Sequence, residues 1–494
     1  MRARLARRAN YTRTENGALT NRTSGSFCLD FFAACGALRN ADAEEKFRRF
    51  IRAYAEDPLL ALRALFYARD IRKGLGERSL FRDVITKLAC LHPETVIKNL
   101  ALIPEFGRWD DLLSLLGTPC EAAAVQFIRA QLDADAEALK NGESVSLLAK
   151  WLPSVNTSSP EARLAAKRLC RLLKMRERDY RRTLSRLRLG CDVLERRLCR
   201  KSYRFDYSKQ PSGAMLKYRR AFLRRDKKRF ARFVEQVKLG KQTMHACTLY
   251  PYEIIRRCID TSGSVLDGRE KDLSEQEIAA LDAAGKSLPV YSGARNALVV
   301  IDGSGSMYWG GNPMPAEVAL SLGIYFAEHC TGRFKDHFIT FSRTPQLVRL
   351  KGENIADRAL YCASFNECSN TNLRAVFELI LQTALTDALP QSELPETLYI
   401  ISDMEFDVGT VPDKTLFEEM RDLYSAAGYR LPALVYWNVD SRQSQFPVTM
   451  DEHGVALVSG ASPSVFEMVI SQEVDPMSYM LSVLNAERYS RVRV

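Results

Sequence analysis

The sequence predicts an α + α/β protein, an all-helical N-terminal domain followed by a parallel-sheet domain. Three observations predict it. From Phe27 to about Leu139 apolar residues recur at helical spacing. From Ala294 onward, short apolar runs alternate with helical segments, the pattern of strands joined by crossover helices. Charge divides along the same line: residues 1–290 carry 56 Lys+Arg against 35 Asp+Glu, whereas residues 291–494 carry 15 against 25.

The boundaries follow from composition. Residues 1–24 are polar and basic, with Asn16-Gly17 as a turn signal, and read as a flexible basic arm. Residues 25–262 form the helical domain. In it Phe47, Phe50, Ile51 and Tyr54, then Leu59, Leu62, Leu65 and Phe66, keep helical spacing. Breaks at Asp57-Pro58, Lys73-Gly74, His92-Pro93 and Thr118-Pro119 divide it into short hairpins of a HEAT-like kind. The Gly107–Asp111 corner places Trp109 beside Arg108, a pair able to stack on a base; the alternative, favoured by the usual burial of Trp, is a core corner.

Residues 161–257 hold 30 basic against 9 acidic side chains. Residues 161–200 read as long helix, with Tyr180, Leu184, Leu187, Cys191, Leu194 and Leu198 as a buried stripe. Arg181, Arg182, Arg186 and Arg188 occupy the remaining surface without an acid among them. Lys201–Gln210 interleaves Tyr203, Phe205 and Tyr207 with cations, and Lys217, Arg219, Arg220, Arg224, Arg225, Lys227, Lys228 and Arg229 follow. Such cations neutralise phosphates, and interleaved aromatic faces can stack unpaired bases. A polyanion, RNA above all, is the partner this footprint predicts.

Residues 263–293, rich in Gly, Ser and Asp, read as a linker with a short helical insert, and 294–494 as the sheet domain. Its predicted strands are 297–301, 337–341, 346–350, 397–402, 432–437 and 455–458. Its predicted helices are 315–330, 372–386, 414–427 and 463–471. The first strand ends in Asp302-Gly303-Ser304-Gly305-Ser306, one carboxylate and two hydroxyls in a glycine-freed loop, a donor set suited to a hard cation. Neither a nucleophile elbow nor a dinucleotide loop fits, because each serine follows a glycine and Tyr308 stands where a third glycine belongs.

This Asp-x-Ser-x-Ser run resembles the metal-ion-dependent adhesion site of a von Willebrand factor A domain. The resemblance implies Mg²⁺ or another divalent cation held by Asp302, Ser304, Ser306, Thr371 from a second loop and Asp403 after a later strand. Glu405 and Asp407 would add negative field without ligating. Further blocks resemble the family grouped as domain of unknown function 2828: Thr14-Glu15-Asn16-Gly17-Ala18, Leu29-Asp30-Phe31-Phe32, Lys150-Trp151-Leu152-Pro153-Ser154, Asp206-Tyr207-Ser208 and Leu249-Tyr250-Pro251-Tyr252-Glu253-Ile254. The architecture is similar to the Ro (TROVE) ribonucleoproteins, which implies a basic helical ring closed by the A domain and RNA as partner.

Three function classes follow. The first is an RNA-binding ribonucleoprotein-type protein. The second is an interaction scaffold whose site cation takes a sixth ligand from an acidic protein partner. The third, a metal-dependent hydrolase, is disfavoured, since His329 and His337 flank a helix and a strand away from the acidic loops. No apolar run approaches a membrane span and no apolar h-region follows Arg2, Arg4, Arg7 and Arg8, so a cytoplasmic protein without membrane attachment is expected. The 12 cysteines form no C-x-x-C pair, which argues against zinc and for reduced thiols.

Overall fold

The structure, a computed structural model, describes residues 7–191, 193–246, 248–260, 269–270, 272–290, 296–308, 311–341, 344–365, 371–410, 414–440, 445–464 and 474–494. A helical N-terminal region precedes a six-stranded, mostly parallel sheet. The predicted helix at 463–471 falls largely outside the described residues, as do Ser369 and Asn370.

Local chemistry sets the helix boundaries. Asp42 caps the helix Ala43–Glu56 by accepting from the Glu45 amide, and Asp57 caps Pro58–Arg69 by accepting from Leu60 while Pro58 opens its first turn. The buried faces of these helices meet the helix Phe27–Ala34, where Phe31 and Phe50 pack edge to face at 5.5 Å. At the Gly107–Asp111 corner, fully buried Asp111 accepts from Arg69 Nε (2.8 Å), Arg82 Nε (2.6 Å) and the Arg108 amide (2.9 Å). Trp109 stacks on Phe127 and the Arg108 guanidinium lies 4.0 Å from the Trp151 ring centroid. The corner is core packing, as the usual burial of Trp suggests.

Three sequence expectations need correction. Residues 161–200 form three helices, Pro160–Leu172, Glu177–Gly190 and Leu194–Cys199, instead of one. Lys174 adopts left-handed φ (51°), and the Met175 amide returns to Cys170 O at 2.9 Å, closing the first helix. The helical insert expected in the linker is the helix Glu275–Lys286, and what departs from a linker is its packing, with Leu281, Ala283 and Ala284 buried against the helical region. The N-terminal arm, from Arg7 on, is ordered: strands β1 (Tyr11–Arg13) and β2 (Leu19–Asn21) form an antiparallel hairpin docked on the sheet domain, Asn21 exchanging backbone hydrogen bonds with Phe446.

The sheet strands are β3 (Ala297–Asp302), β4 (His337–Phe341), β5 (Leu347–Arg349), β6 (Thr397–Ser402), β7 (Ala433–Asn438) and β8 (Val455–Ser459), in the order β8-β7-β6-β3-β4-β5. All neighbours are parallel except β5, an antiparallel edge. Every residue of β3 and β6 is buried, which is why each reads as a continuous apolar run. Successive crossovers leave β3 in opposite directions, so the crevice beyond the ends of β3 and β6 is the sheet's switch point.

One face of the sheet, with Leu298, Val300, Ile400 and Leu434, packs on the helices Leu373–Thr386 and Leu416–Ala426. The other, with Val299, Ile301, Tyr399 and Trp437, shares a single core with the helical region. The helices Phe27–Ala34 and Pro476–Leu484 cover that face beside Pro315–His329. Gly36 makes this crossing feasible: a Cβ there would stand 2.4 Å from the Gly460 backbone. At the C-terminal end Arg488 forks onto buried Asp70, and Asn99 bonds the Arg493 backbone in both directions. Two regions set apart by composition thus meet as one packed body.

Candidate functional site

β3 delivers Asp302 to the switch point, and the helix Pro315–His329 is drawn close behind it because Gly323 leaves room for Ile301, whose Cδ1 would be 2.1 Å from a Cβ. Asp302 Oδ1 accepts from the Ser304 amide (2.8 Å) and Oδ2 accepts from Ser402 Oγ (2.6 Å). This holds the carboxylate and folds the loop so that Ser304 Oγ and Ser306 Oγ lie 3.0 Å apart. The two hydroxyls hydrogen-bond each other at this distance, which is also about the 3.0 Å between adjacent oxygens of an octahedron with metal–oxygen bonds of about 2.1 Å.

Thr371 stands two residues before the helix Leu373–Thr386, which Asn372 caps by accepting from Ala375, and it touches the loop that follows β6. Its hydroxyl is close to two acceptors, Glu405 O (2.6 Å) and Asp407 Oδ1 (3.2 Å). Asp403 follows β6, its Oδ1 accepting from the Glu405 amide at 3.2 Å across Met404, which holds a left-handed φ of 69°. Such strain costs about 1–3 kcal/mol and persists where surrounding structure holds it. Asp302, Thr371, Asp403 and Ser304 are only 1, 1, 3 and 5 % exposed. The bonded partners of Asp302 among the described residues are neutral donors. Burial first, and the nearby Asp403 charge second, push its carboxyl up to about 7. Burial likewise raises Glu405.

The five sequence-predicted ligands therefore have the donor chemistry for a hard divalent cation: oxygen atoms only, with buried acids that a cation would offset. Asp302, Ser304, Ser306, Thr371 and Asp403 would hold it, and it would supply a Lewis-acidic coordination point. His329 Nδ1 and His337 Nδ1 instead meet Tyr325 O and Lys335 O, and His337 begins the strand whose far end, Phe341, pairs with Asp302.

Residues not foreseen at this site are Thr14, Glu15 and Asn16, at the tip of the β1–β2 hairpin. Asn16 Nδ2 donates to Thr371 Oγ1 (2.8 Å) and to Glu405 O (2.7 Å), the Glu15 amide to Glu405 Oε2 (2.7 Å), and Thr14 Oγ1 to Phe406 O (2.6 Å). Gly17 bridges to Asp407. The Asn16-Gly17 turn signal was legible; its docking on a loop almost 400 residues away was not.

The basic segment divides in two. Arg188 is committed to Ala149 O, Leu152 O and Ser154 Oγ. Arg229 bonds Phe205 O (2.8 Å) and Asp226 (2.9 Å), and Arg219 and Arg220 face Glu277. Arg188 and Arg219 are thus part-buried and held within the fold, while Arg220 and Arg229 keep exposed side chains with a protein partner already in place. Arg181, Arg182, Arg186, Arg224, Arg225, Lys227 and Lys228 are exposed and form no ion pair among the described residues; Lys217 is exposed beside the Tyr218 ring. The interleaved aromatics are also corrected: Phe205 and Tyr207 are buried with Phe222, and Tyr207 stacks on Phe233, so they do not offer faces to bases. They floor a cleft of about 770 Å³ that adds Arg204, Arg232, Gln236 and Gln242. A second cleft of about 730 Å³ shares Arg204–Asp206 and adds Lys150, Arg197, Lys209 and Lys217. Of the cations lining the two, Arg204, Lys209, Lys217 and Arg229 belong to the basic stretch read from the sequence as a polyanion footprint, whereas Arg197 and Arg232 were not singled out there.

Fold and site together define a helical protein built onto a parallel-sheet domain with an oxygen-donor loop at its switch point. The chain belongs to the family described as a domain of unknown function (DUF2828), matched over residues 14–126 and 122–288. A second description, domain of unknown function (DUF7788), matches residues 296–487. The uncharacterized protein L728 of Acanthamoeba polyphaga mimivirus is 28% identical over 516 residues, spanning 96% of this chain and 87% of that protein. Among solved structures, the Deinococcus radiodurans Ro (RSR) protein aligns with a TM-score of 0.35 and 16% identity, over 88% of this chain and 93% of that one. Among the described residues no helix is long and apolar enough to cross a membrane.

Proposed function

We propose that the protein binds RNA on the basic face of its helical region, with the Asp302 loop as a divalent-cation site in the sheet domain. The observation that carries the reading is the set of exposed cations, Arg181, Arg182, Arg186, Arg224, Arg225, Lys227 and Lys228, without ion pairs among the described residues. Within each of the two clusters, 181–186 and 224–228, like charges close in sequence repel each other, and a phosphate backbone offsets that repulsion while releasing its counterions. The clefts that meet at Arg204–Asp206 add further cations, Arg232, Lys150, Arg197 and Lys209, to which a phosphate backbone could bind. With the aromatics buried, affinity is electrostatic and depends little on base identity. The ten described cysteines are free thiols, which suits a cytoplasmic setting.

The test is binding of a labelled single-stranded RNA to the full chain across a salt series. Changing Arg224, Arg225, Lys227 and Lys228 together to Glu should weaken binding and lower the slope of log K against log salt by about 3, at roughly 0.7 for each phosphate no longer neutralised. An unchanged slope with retained affinity would refute this assignment.

The second reading concerns the other part of the molecule and is compatible with the first. Five protein oxygens leave at least one position of an octahedral cation for an acidic side chain of a protein partner. The supporting observation is the pairing of two serine hydroxyls with buried Asp302 on one loop. We read the protein as a binding protein rather than a hydrolase.

A further inference from the structure

The candidate cation site is accompanied by a segment of the same chain on its rim. Thr14–Gly17 forms a closed turn, with the Gly17 amide on Thr14 O (3.0 Å) and the Ala18 amide on Thr14 Oγ1 (2.9 Å). The hairpin behind it is fastened at Asn21 to Phe446 and through Asn10 to Thr23. The turn meets the sheet domain at the two loops that supply Thr371 and Asp403. Asn16 donates to the Thr371 hydroxyl and to Glu405 O, and the Glu15 amide occupies the Glu405 carboxylate. Gly17 fits closely there: its φ is +88°, and a Cβ would lie 2.9 Å from Val408.

We propose that the Thr14–Gly17 turn is a cover for the cation site, seated on Thr371 and Glu405, with buried Thr371 beneath exposed Asn16. The inference rests on reading the five-oxygen cluster as a cation site. It adds a condition to the second function: capture of an acidic partner requires the turn to lift. The contacts suit a removable cover. They are hydrogen bonds from Thr14, Glu15 and Asn16, with Glu15 and Asn16 themselves exposed, while the hairpin strands below stay attached through β2. The Thr371 hydroxyl proton is engaged by its acceptors, so the Asn16 amide takes up accepting capacity on an oxygen that a cation would also use. Seating of the turn and full access to Thr371 are therefore linked.

The experiment uses the full chain, Mn²⁺ as probe and two readouts. One is the rate at which a chelator strips bound Mn²⁺; the other is the water-proton relaxivity of bound Mn²⁺, which reports solvent access to the ion. Asn16→Ala removes two hydrogen bonds and should raise the stripping rate by on the order of tenfold, with higher relaxivity. Thr14→Val removes a different pair of bonds, that to Phe406 O and that from the Ala18 amide within the turn, and should act in the same direction; it guards against a folding defect peculiar to one variant. Hydrogen exchange at the Glu15 amide should accelerate in both. Wild-type protein that binds no Mn²⁺ overturns the cation-site reading and the cover with it. Mn²⁺ binding lost in Asp302→Ala, but with stripping rate and relaxivity unmoved by Asn16→Ala and Thr14→Val, keeps the site and overturns the cover alone.

Discussion

Replacing Asp302 by Asn should stabilise the cation-free protein at alkaline pH while abolishing its response to Mg²⁺. In the folded chain the Asp302 carboxyl is pushed up to about 7, by burial and then by Asp403, against an ordinary 3.8. The folded state therefore holds a proton between these values that the unfolded state has lost. Stability must fall as pH rises through this window, and the contribution is fully lost above the folded value. At about 1.36 kcal/mol per pH unit the ceiling is about 4 kcal/mol. The substituted amide would keep the acceptor for the Ser304 N–H but would present a donor to Ser402 Oγ, whose own proton must find another acceptor. That rearrangement costs about 1 kcal/mol. A net gain of up to about 3 kcal/mol at pH 8 remains, against a loss of up to about 1 kcal/mol at pH 4, where the titration gain is nearly absent. The assay is urea unfolding in chelator at both pH values, read through the fluorescence of Trp437, which is buried on the sheet. Saturating Mg²⁺ should stabilise the wild type at pH 8 and leave the variant unmoved. Parallel pH curves for the two proteins, or a destabilised variant at pH 8 without cation, would refute the reasoning.

Other changes test how the two parts are joined. Arg488→Ala should cost about 3 kcal/mol in urea unfolding, because it strips a guanidinium from Asp70, which is fully buried and, among the described residues, keeps only the Tyr489 hydroxyl and the Arg72 amide as partners of its side chain. A loss under about 1 kcal/mol would show that the Asp70 charge does not depend on Arg488. Gly36→Ala places a methyl against the Gly460 backbone and should cost about 1–3 kcal/mol with a lower Tm, since backbone cannot yield as a side chain can. An unchanged Tm would mean the Phe27–Ala34 helix sits less tightly on β8 than the structure has it.

The order of the architecture and the chemistry of the candidate ligands are legible in the chain alone. Strands β3 and β6 are buried on both faces, so each is written as an unbroken apolar run, and Asp302 and Asp403 stand directly at their ends. A strand end and its next few residues are local information, and local information survives in one dimension. The helical stripe of Tyr180, Leu184 and Leu187 is legible for the same reason. Packing alone settles which of the conspicuous residues are free to act. Arg188 and Arg181 look alike in the chain, yet one is enclosed by three acceptors and the other stands in solvent. Phe205 and Tyr207 could have been base platforms but fill an aromatic core, because Phe222, Phe230 and Phe233 arrive from later helices to bury them. The helix break at Lys174 carries no glycine or proline to announce it. Above all, the arm at Thr14–Gly17 gains its meaning from Thr371 and Glu405. Its partners are backbone and side-chain oxygens on loops far along the chain, and no periodicity encodes a hydrogen bond across such a separation.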